Sequence, residues 1–372
     1  MRTLEKGHIK VPFVGLGERF RSNEAELIAA ICEIGREGQF ILGEKVQQFE
    51  QSLADFCQSQ YVVTVNSGYD ALYHSLKLLG VGGGDEVITV PNSFIATAGA
   101  IIATGAKPVF VDVTDDFNID VELIESAITS KTKAILPVHL TGLPARMDQI
   151  NNIAKAHGLF VVEDAAQAIG ATWQGKTVGT WGDLGCFSLH PLKNFHVFGD
   201  GGFITMQDKS IMTQSLLMRN HGLVNRDECQ TWGYNSRLDG LQAAMGLVCM
   251  DKLNVWNDRV KQIAGFYREG IKLPARHQPI DKEAESVYHN YVLRVPKRDA
   301  LMAYLSEAGI DSKVHYPIPL HLQPAARNLG YKKGDFPRTE QFTTEMLSLP
   351  IYPELSDIQI ALVIKKINSF YA

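Results

Sequence analysis

Short apolar runs rich in β-branched residues alternate with amphipathic stretches through the first two thirds of the chain. The first pair is a strand-like run, YVVTV (61–65), followed by a helical pattern, YDALYHSLKLL (69–79). Runs this apolar predict strands covered on both faces, and their alternation with helices predicts a mostly parallel sheet. The alternation continues with strand-like runs at 85–90, 107–113, 132–140 and 159–164 and helical patterns at 96–105, 120–128 and 147–158. The sequence therefore predicts an α/β fold.

The pattern changes after two further strand-like runs, GCFSL (185–189) and GFITM (202–206). The span from Leu238 to about Lys272 is helical in pattern and largely free of helix breakers, so we expect it to connect to a second domain. Beyond it lie further strand-like runs and two more helical patterns. We therefore predict an N-terminal arm and a large α/β domain over residues 1–250, and a smaller α+β domain over residues 251–372.

Composition and charge exclude several classes of function. The 372 residues are 45% hydrophobic and 21% charged, which is ordinary for a globular protein, and the formal net charge is −5. We therefore expect neither nucleic acid nor a membrane as a partner. No apolar stretch reaches the length of a membrane span, and the charged N-terminus does not resemble a signal peptide. The five cysteines are scattered and no ligand set has metal-site spacing, so we expect no disulfide framework, no metal and a cytoplasmic location.

Three polar clusters follow strand-like runs, where ligands bind in an open parallel sheet. In the first, Ser67 and Gly68 begin a helix whose N–H groups suit an anion, although a simple capped helix start explains them equally well. In the second, Asp164 ends a strand that should be buried, with a helix N-cap as the alternative. In the third, Lys193 follows Ser188 in a loop, where a lone lysine is usually a solvated charge. If the clusters converge, they combine an anion site, a carboxylate and an amine.

That combination predicts chemistry with pyridoxal phosphate. Lys193 would hold the aldehyde of the cofactor as an imine and release it when an amine arrives. The phosphate would be bound by Ser67, Gly68 and Ser188. The Asp164 carboxylate would favour a protonated pyridine ring, which stabilises a carbanion on the adjacent carbon. The freed lysine would then move the proton as base and as acid. Phe94 follows a strand end and is available to cover the face of the cofactor.

A series of motifs makes the chain resemble nucleotide-sugar aminotransferases of the DegT/StrS type. The motifs run in order from about Gln39 to His321 and are VNSGYDAL, GAKPVFVDV, PVHLTGLPARMD, VVEDAAQAIGA, GDLGCFSLHPLKN, GDGGFI, RNHG, GYNSRLDGLQAA and VHYPIPLH. That family belongs to the fold type I group of pyridoxal-phosphate enzymes. The resemblance therefore implies a large domain with a mostly parallel seven-stranded sheet between helices, followed by a smaller C-terminal α+β domain.

The resemblance also implies roles for individual residues. Lys193 matches the lysine that carries the cofactor, Asp164 the acid at the pyridine nitrogen, and Gln167 the glutamine near the ring oxygen. Asn235 matches an asparagine that reaches the cofactor phosphate of the other subunit, which implies a homodimer with shared active sites. Relatives often have threonine at the position of Tyr69. The implied cofactor contacts are Ser67, Gly68, Tyr69, Phe94, Asp164, Gln167, Ser188, Lys193 and Asn235, and the implied substrate contacts are His190, Arg237, His315 and Tyr316.

The leading hypothesis is a transaminase that moves an amino group from L-glutamate to the keto carbon of a nucleotide-linked keto-deoxysugar, with pyridoxal phosphate cycling through pyridoxamine phosphate. The lysine at 193 argues against the related sugar dehydratases, which have histidine there. The resemblance slightly favours amination at the third carbon over the fourth. The pathway could serve lipopolysaccharide, another surface polysaccharide or a glycosylated natural product. Two alternatives stay open, namely amination of a keto-cyclitol in aminoglycoside-type synthesis and a non-catalytic regulator that keeps the fold.

Overall fold

The computed structural model describes residues 10–272 and 274–372. The first nine strands are β1 (Tyr61–Val65), β2 (Glu86–Thr89), β3 (Lys107–Phe110), β4 (Thr132–Ile135), β5 (Phe160–Asp164), β6 (Thr172–Trp173), β7 (Lys176–Thr177), β8 (Leu184–Ser188) and β9 (Gly202–Met206). Seven of them form one sheet in the order β1-β9-β8-β5-β4-β2-β3. β9 runs antiparallel to β1 and β8, and the other neighbours are parallel. The prediction of a mostly parallel seven-stranded sheet is confirmed.

Helices cover both faces of this sheet. They are α1 (Leu16–Glu37), α2 (Glu44–Cys57), α3 (Gly68–Leu78), α4 (Ile95–Ala103), α5 (Ile124–Ala127), α6 (Met147–His157), α7 (Lys209–Arg219) and α8 (Gly240–Met250). Val62 and Val63, adjacent on β1, show the division of the core, because they belong to two different hydrophobic clusters. A strand that is buried on both faces has no polar side to display. This explains why the strands read as continuous apolar runs.

The residues after α8 build a second core. Its helices and strands are α9 (Leu253–Gly270), β10 (Arg276–His277), β11 (Ala284–Glu285), β12 (Tyr291–Arg294), α10 (Arg298–Glu307), α11 (Pro337–Glu345), β13 (Met346–Leu349) and α12 (Asp357–Tyr371). Strands β10, β12 and β13 form an antiparallel sheet, and β11 pairs with β6. Val11 pairs with Ile310, so the N-terminal arm joins this second core rather than the large sheet. The division of the chain after residue 250 stays a prediction.

The helical span predicted from Leu238 to about Lys272 is two helices, α8 and α9, separated at Asp251 and Lys252. The two helices have different environments. α8 is apolar around most of its surface because it packs against α1 and α2. α9 buries one face, which includes Val260 and Ile263 in the second core. One straight helix could not pack against α1 and α2 and also bury a face in the second core.

Neither a membrane helix nor a metal cluster occurs among the residues that the structure describes. No helix in 10–272 or 274–372 has both the length and the apolar composition needed to cross a bilayer. In the same ranges, no group of three or more His, Cys, Asp or Glu side chains is arranged to hold a metal ion.

Glu163 fixes the chain around the end of β5. It points away from Asp164, because adjacent residues of a strand face opposite sides of the sheet. Its fully buried carboxylate accepts hydrogen bonds, each 2.7 Å long, from the backbone N–H groups of Gly179, Trp181 and Gly182. The N–H of Ala145 donates to Nδ1 of His139, so Nε2 carries the proton and donates to Glu163 at 3.0 Å. His139 is therefore a structural histidine.

We predict that Glu163→Gln lowers the free energy of unfolding by about 3 kcal/mol, because the new amide would direct an N–H group at buried N–H donors. The matched control is Glu125→Gln. Glu125 is exposed and lies 3.3 Å from His157, and such a surface pair contributes less than about 1 kcal/mol. Urea-induced unfolding followed by circular dichroism measures both variants. Equal losses in the two variants would contradict the structural role of Glu163.

Candidate active site

A cavity of about 650 Å³ lies at the carboxyl ends of β1, β5 and β8. These three strands point in the same direction, so the residues that follow them meet at one edge of the sheet. Of the residues singled out in the sequence, the cavity is lined by Ser67, Gly68, Tyr69, Phe94, Asp164, Gln167, Ser188, His190, Lys193, His315 and Tyr316. Asn235 and Arg237 do not line it. The structure therefore brings all but two of the predicted site residues together.

The turn before α3 is built to approach Ser188 closely. Ser67 caps α3, since its Oγ accepts a hydrogen bond from the N–H of Asp70 at 3.1 Å. The cap does not explain Gly68. A side chain on Gly68 would place its Cβ 2.6 Å from the Cβ of Ser188, so only glycine permits this approach. The helix N-terminus and the Ser188 hydroxyl consequently lie side by side, and this set of donors suits a phosphate.

Asp164 ends β5 as a buried carboxylate in a fixed orientation. Its Oδ2 accepts from the Thr97 hydroxyl at 2.8 Å, and that hydroxyl lies 2.8 Å from Oγ of Ser93. Its Oδ1 accepts from the N–H of Ala166 at 3.3 Å. The residues that follow form turns, so Asp164 is not a helix N-cap. Burial raises the pKa of the Asp164 carboxyl, and the hydrogen bonds and the nearby Lys193 oppose that shift.

Lys193 lies on the loop after β8 and lines the cavity. Its side chain is half-buried, so it is not the solvated surface charge that a lysine in a loop usually is. Burial lowers the pKa of the Lys193 amine, and the carboxylate of Asp164 opposes that shift. A lowered pKa increases the fraction of neutral amine, which is the form that attacks a carbonyl carbon. Position and electrostatics together favour Lys193 as a nucleophile.

Gln167 and Phe94 border the cavity beside Tyr316. The Gln167 carboxamide is held at both ends, because Oε1 accepts from the N–H of Thr141 at 2.7 Å and Nε2 donates to the Tyr316 hydroxyl at 3.2 Å. The ring of Phe94 is exposed just before α4, with its centroid 5.7 Å from that of Tyr316. An exposed ring in this position is available to cover a flat ligand.

Two histidines from the second core also line the cavity. Nδ1 of His315 lies 2.9 Å from Oγ of Ser348. Burial, and then the charge of Lys193, lowers the pKa of His315 to about 4. The same two causes, in the same order, lower the pKa of His289 well below its ordinary value. Both imidazoles are therefore neutral at pH 7.

Asn235 and Arg237 lie elsewhere. Asn235 lines a separate surface recess of about 340 Å³ with Tyr73, His74 and Tyr234. Arg237 donates to Oδ1 of Asn220 at 2.9 Å. Tyr69 borders both the cavity and the recess, and its hydroxyl donates to the carbonyl of Gly99 at 3.1 Å. Within one chain neither Asn235 nor Arg237 reaches the cavity, and their roles stay predictions that require a second subunit.

Three residues that complete the site were not predicted from the sequence, namely Thr97, Thr141 and His289. Thr97 lies one turn after Ser93 near the start of α4, and helical spacing alone does not show that it faces Asp164. Thr141 acts through its backbone N–H, which leaves no mark on residue type. His289 carried the clearest signal, since a polar His-Asn pair immediately precedes the apolar run of β12.

Comparison with known proteins identifies an aminotransferase of the pyridoxal-phosphate-dependent class. The chain belongs to the DegT/DnrJ/EryC1/StrS aminotransferase family, whose model matches residues 21–368. A relative named pleiotropic regulatory protein, from Geobacillus stearothermophilus, is 42% identical over 98% of this chain and 99% of its own. The dTDP-3-amino-3,4,6-trideoxy-alpha-D-glucose transaminase of Streptomyces venezuelae is 40% identical over 97% of this chain and 96% of its own. The expected family and enzyme class are confirmed.

Solved structures agree with this assignment. DesV of S. venezuelae, in complex with a ketimine intermediate, matches with a TM-score of 0.95 and 40% identity over 97% of this chain and 98% of DesV. NtdA of Bacillus subtilis, with bound pyridoxamine phosphate, matches with a TM-score of 0.90 and 32% identity over 99% of this chain and 86% of NtdA. The expected fold class is confirmed, and the matches agree with pyridoxal phosphate cycling through pyridoxamine phosphate as the cofactor.

Asp164→Asn is expected to stabilise the cofactor-free protein at neutral pH. Because the folded-state pKa of this carboxyl is raised, its contribution to stability is present below the unfolded-state pKa and is lost as the pH rises through the folded-state pKa. The stability difference between the variant and the wild type should be small below about pH 4 and should grow in favour of the variant toward pH 7. Thermal unfolding across this range measures it.

The control is Asp200→Asn, which removes the same charge from an exposed position on the wall of the cavity. This control should show no such pH-dependent gain. The burial argument would be contradicted if Asp164→Asn were less stable than the wild type at pH 7. It would also be contradicted if the unfolding temperature of the variant differed from that of the wild type by the same amount at every pH.

Proposed function

We propose that the protein transfers an amino group from L-glutamate to the keto carbon of a nucleotide-linked keto-deoxysugar in the cytoplasm. The observation that carries the proposal is that one cavity brings together Lys193, the buried Asp164 at the end of β5, and the N-terminus of α3. The coarser conclusion, a sugar aminotransferase, already follows from the family and its named relatives. The relative from S. venezuelae is named for a 3-amino sugar, which supports amination at the third carbon rather than the fourth. The product would enter lipopolysaccharide, another surface polysaccharide or a natural product.

The residues around the cavity fit pyridoxal phosphate. When bound, this cofactor supplies a protonated pyridine ring that withdraws electrons from the reacting carbon. A Cβ on Gly68 would fill the cradle beside Ser188, which supports this as the phosphate position. Asp164 would lie at the pyridine nitrogen, Gln167 at the ring oxygen and Phe94 over the ring face. The phosphate would be held by Ser67, Gly68 and Ser188.

Side chains of the protein would transfer the substrate proton and hold the charge beside the cofactor. Burial lowers the pKa of the Lys193 amine, which increases its neutral fraction. Nζ of the neutral amine would accept the proton from the substrate carbon and donate it to the adjoining carbon of the cofactor. A cation against Asp164 would favour the ionised carboxylate, because an opposite charge lowers the pKa of a carboxyl. The hydrogen bond from Thr97, 2.8 Å long, keeps that charge in one place. Phe13 from the N-terminal arm and Tyr352 from the second core add aromatic rings to the lining of the cavity.

The second core would supply the sugar contacts. His315 and Tyr316 line the cavity next to the predicted cofactor residues, and His190 lines it from the loop that carries Lys193. The imidazole of His315 is neutral at pH 7, which suits the hydroxyl groups of a sugar. Arg237 would contact the substrate only across a subunit boundary, because it lies outside the cavity of its own chain.

The proposal predicts two separable half-reactions. The protein saturated with pyridoxal phosphate should lose its near-visible absorbance when L-glutamate is added and recover it when the nucleotide-linked keto sugar follows. Lys193→Ala should slow both steps by about 1,000-fold or more, because the proton carrier is lost. Lys313→Ala, which removes a second lysine of the cavity wall, should stay within about tenfold of the wild type.

Turnover by Lys193→Ala at the wild-type rate would contradict the proposal. The choice of ketone decides between the enzymatic alternatives. Recovery with a keto-cyclitol, and none with any nucleotide-linked keto sugar, would favour the aminoglycoside-type reaction.

We further propose a homodimer in which Asn235 serves the cofactor site of the partner subunit. Asn235 lies in a surface recess outside its own cavity, and nearby apolar side chains are exposed. Trp232 is 93% exposed and Tyr234 is 38% exposed, on the same segment as Asn235. Exposed apolar side chains clustered in this way are typical of a surface that another protein covers. A second copy of the chain would cover the recess and would place Asn235 near the cofactor phosphate of that copy.

Mixed dimers of Lys193→Ala and Asn235→Ala subunits test this sharing. If Asn235 acts across the interface, one of the two sites in each mixed dimer receives both wild-type residues. Subunits mixed in equal amounts should then recover about a quarter of the wild-type activity, although each variant alone is nearly inactive. If Asn235 acts within its own chain, every site carries one defect and no activity returns. The recovery is measured after unfolding and refolding the two variants together.

One relative is named a pleiotropic regulatory protein, and this name supports the alternative of a non-catalytic regulator that keeps the fold. The buried Asp164 carboxyl and the half-buried Lys193 amine, whose pKa is lowered by burial, argue against that alternative. A regulator that only needed the fold would gain stability from apolar residues at these positions. A protein that binds the cofactor but shows neither half-reaction with any keto sugar would favour the regulatory role.

A further inference from the structure

Thr141 has a backbone conformation that β-branched residues rarely adopt. It lies between β4 and α6 with a φ of 63° and a ψ of 4°, in the left-handed region, and Gly142 follows with a φ of 88°. Strain of this kind persists only where surrounding contacts hold it, and it is concentrated at functional sites. The turn is fully buried, so solvent does not explain its conformation.

Hydrogen bonds from several segments hold the turn. The Thr141 hydroxyl lies 2.9 Å from Oε1 of Gln278 and 2.5 Å from the carbonyl of Leu140, so its single proton is shared between two acceptors. Gln278 is itself fixed, because its Nε2 donates to the backbone carbonyl of Asp116 at 2.7 Å. The carbonyl of Thr141 accepts from the N–H of Asn290 at 3.3 Å. Gln278 is therefore the side chain that ties Thr141 to the second core.

The strained turn delivers one N–H group to Gln167. The backbone N–H of Thr141 donates to Oε1 of Gln167 at 2.7 Å. Because a donor occupies the oxygen end, the Nε2 end faces the other way, and one of its hydrogens goes to the Tyr316 hydroxyl at 3.2 Å. A flipped carboxamide would direct its NH₂ group at the N–H of Thr141. The orientation leaves the second hydrogen of Nε2 for a ligand in the cavity.

We propose that Thr141 is a positioning residue that holds the Gln167 carboxamide in the orientation that donates to the ring oxygen of the cofactor. The inference rests on the proposed function, because it needs pyridoxal phosphate in the cavity. An N–H donor would stabilise the negative charge on the ring oxygen of the bound cofactor. The proton that this oxygen would share with the nitrogen contributed by Lys193 would then be lost at a lower pH. A weaker donor should raise the pH at which the near-visible absorbance of the bound cofactor changes.

The test compares cofactor-saturated proteins that differ at Thr141 and Gln278. Thr141→Val keeps the shape and the backbone strain but lacks the hydroxyl, Gln278→Met lacks the acceptor, and Thr141→Ser keeps the hydroxyl. Two quantities are measured, the pH midpoint of the absorbance change and the unfolding temperature. Gln167→Leu sets the full effect and should raise the midpoint by about one pH unit.

Thr141→Val and Gln278→Met should each raise the midpoint by about half as much, and the double variant should match the single ones, because both changes break the same contact. Thr141→Ser should stay near the wild type. A lower unfolding temperature without a shift of the midpoint, in both Thr141→Val and Gln278→Met, would overturn the inference, since a merely structural residue behaves that way. An unchanged midpoint in Gln167→Leu would also overturn it, because Gln167 would then have no function to position.

Failure of the proposed function looks different from either result. In that case the wild-type protein would show no near-visible band with pyridoxal phosphate, or a band that L-glutamate does not change.

Discussion

The burial of the Asp164 carboxylate is the constraint on which the site depends. Burial raises the pKa of the Asp164 carboxyl at the end of β5 and lowers the pKa of the Lys193 amine. Both shifts have the same first cause, the loss of water around a charged group. A ligand that brings a ring nitrogen to Asp164 and a carbonyl carbon to Lys193 satisfies both groups at once. The electrostatics of the site thus match the ring nitrogen and the aldehyde carbon of pyridoxal phosphate.

Sheet direction explains how three distant segments reach this point. β1, β5 and β8 end on the same side, so a helix N-terminus, an acid and the loop that carries the lysine meet at one edge of the sheet. The second core closes the other side of the cavity with His289, His315 and Tyr316. The turn at Thr141 joins the two halves, because it contacts Gln167 on one side and Gln278 on the other. Gln167, a proposed cofactor contact, and Tyr316, a proposed substrate contact, are therefore joined to this turn by hydrogen bonds.

Local patterns in the sequence were sufficient for the seven strands of the large sheet, their mostly parallel arrangement and the three clusters, because each depends on residues close together along the chain. The helical pattern at 120–128 became a short 3-10 turn at Val121–Leu123 followed by α5, so periodicity alone overstated the helix. Contacts between distant residues were out of reach. Thr97 meets Asp164 across 67 positions, and Thr141 meets Gln278 across 137, and only the packed fold sets such pairs. The position of Asn235 outside its own cavity likewise depends on three-dimensional packing rather than on its motif.

A covalent bond between Lys193 and the cofactor is the central claim, and borohydride reduction followed by peptide mapping tests it most directly. Reduction of the cofactor-saturated protein should fix the pyridoxyl group on the peptide that contains Lys193, and the label should disappear if L-glutamate is added before reduction. Lys313 is a second lysine on the cavity wall and provides the internal comparison. A label on Lys313, or no label on either lysine, would contradict the assignment of Lys193 as the anchor.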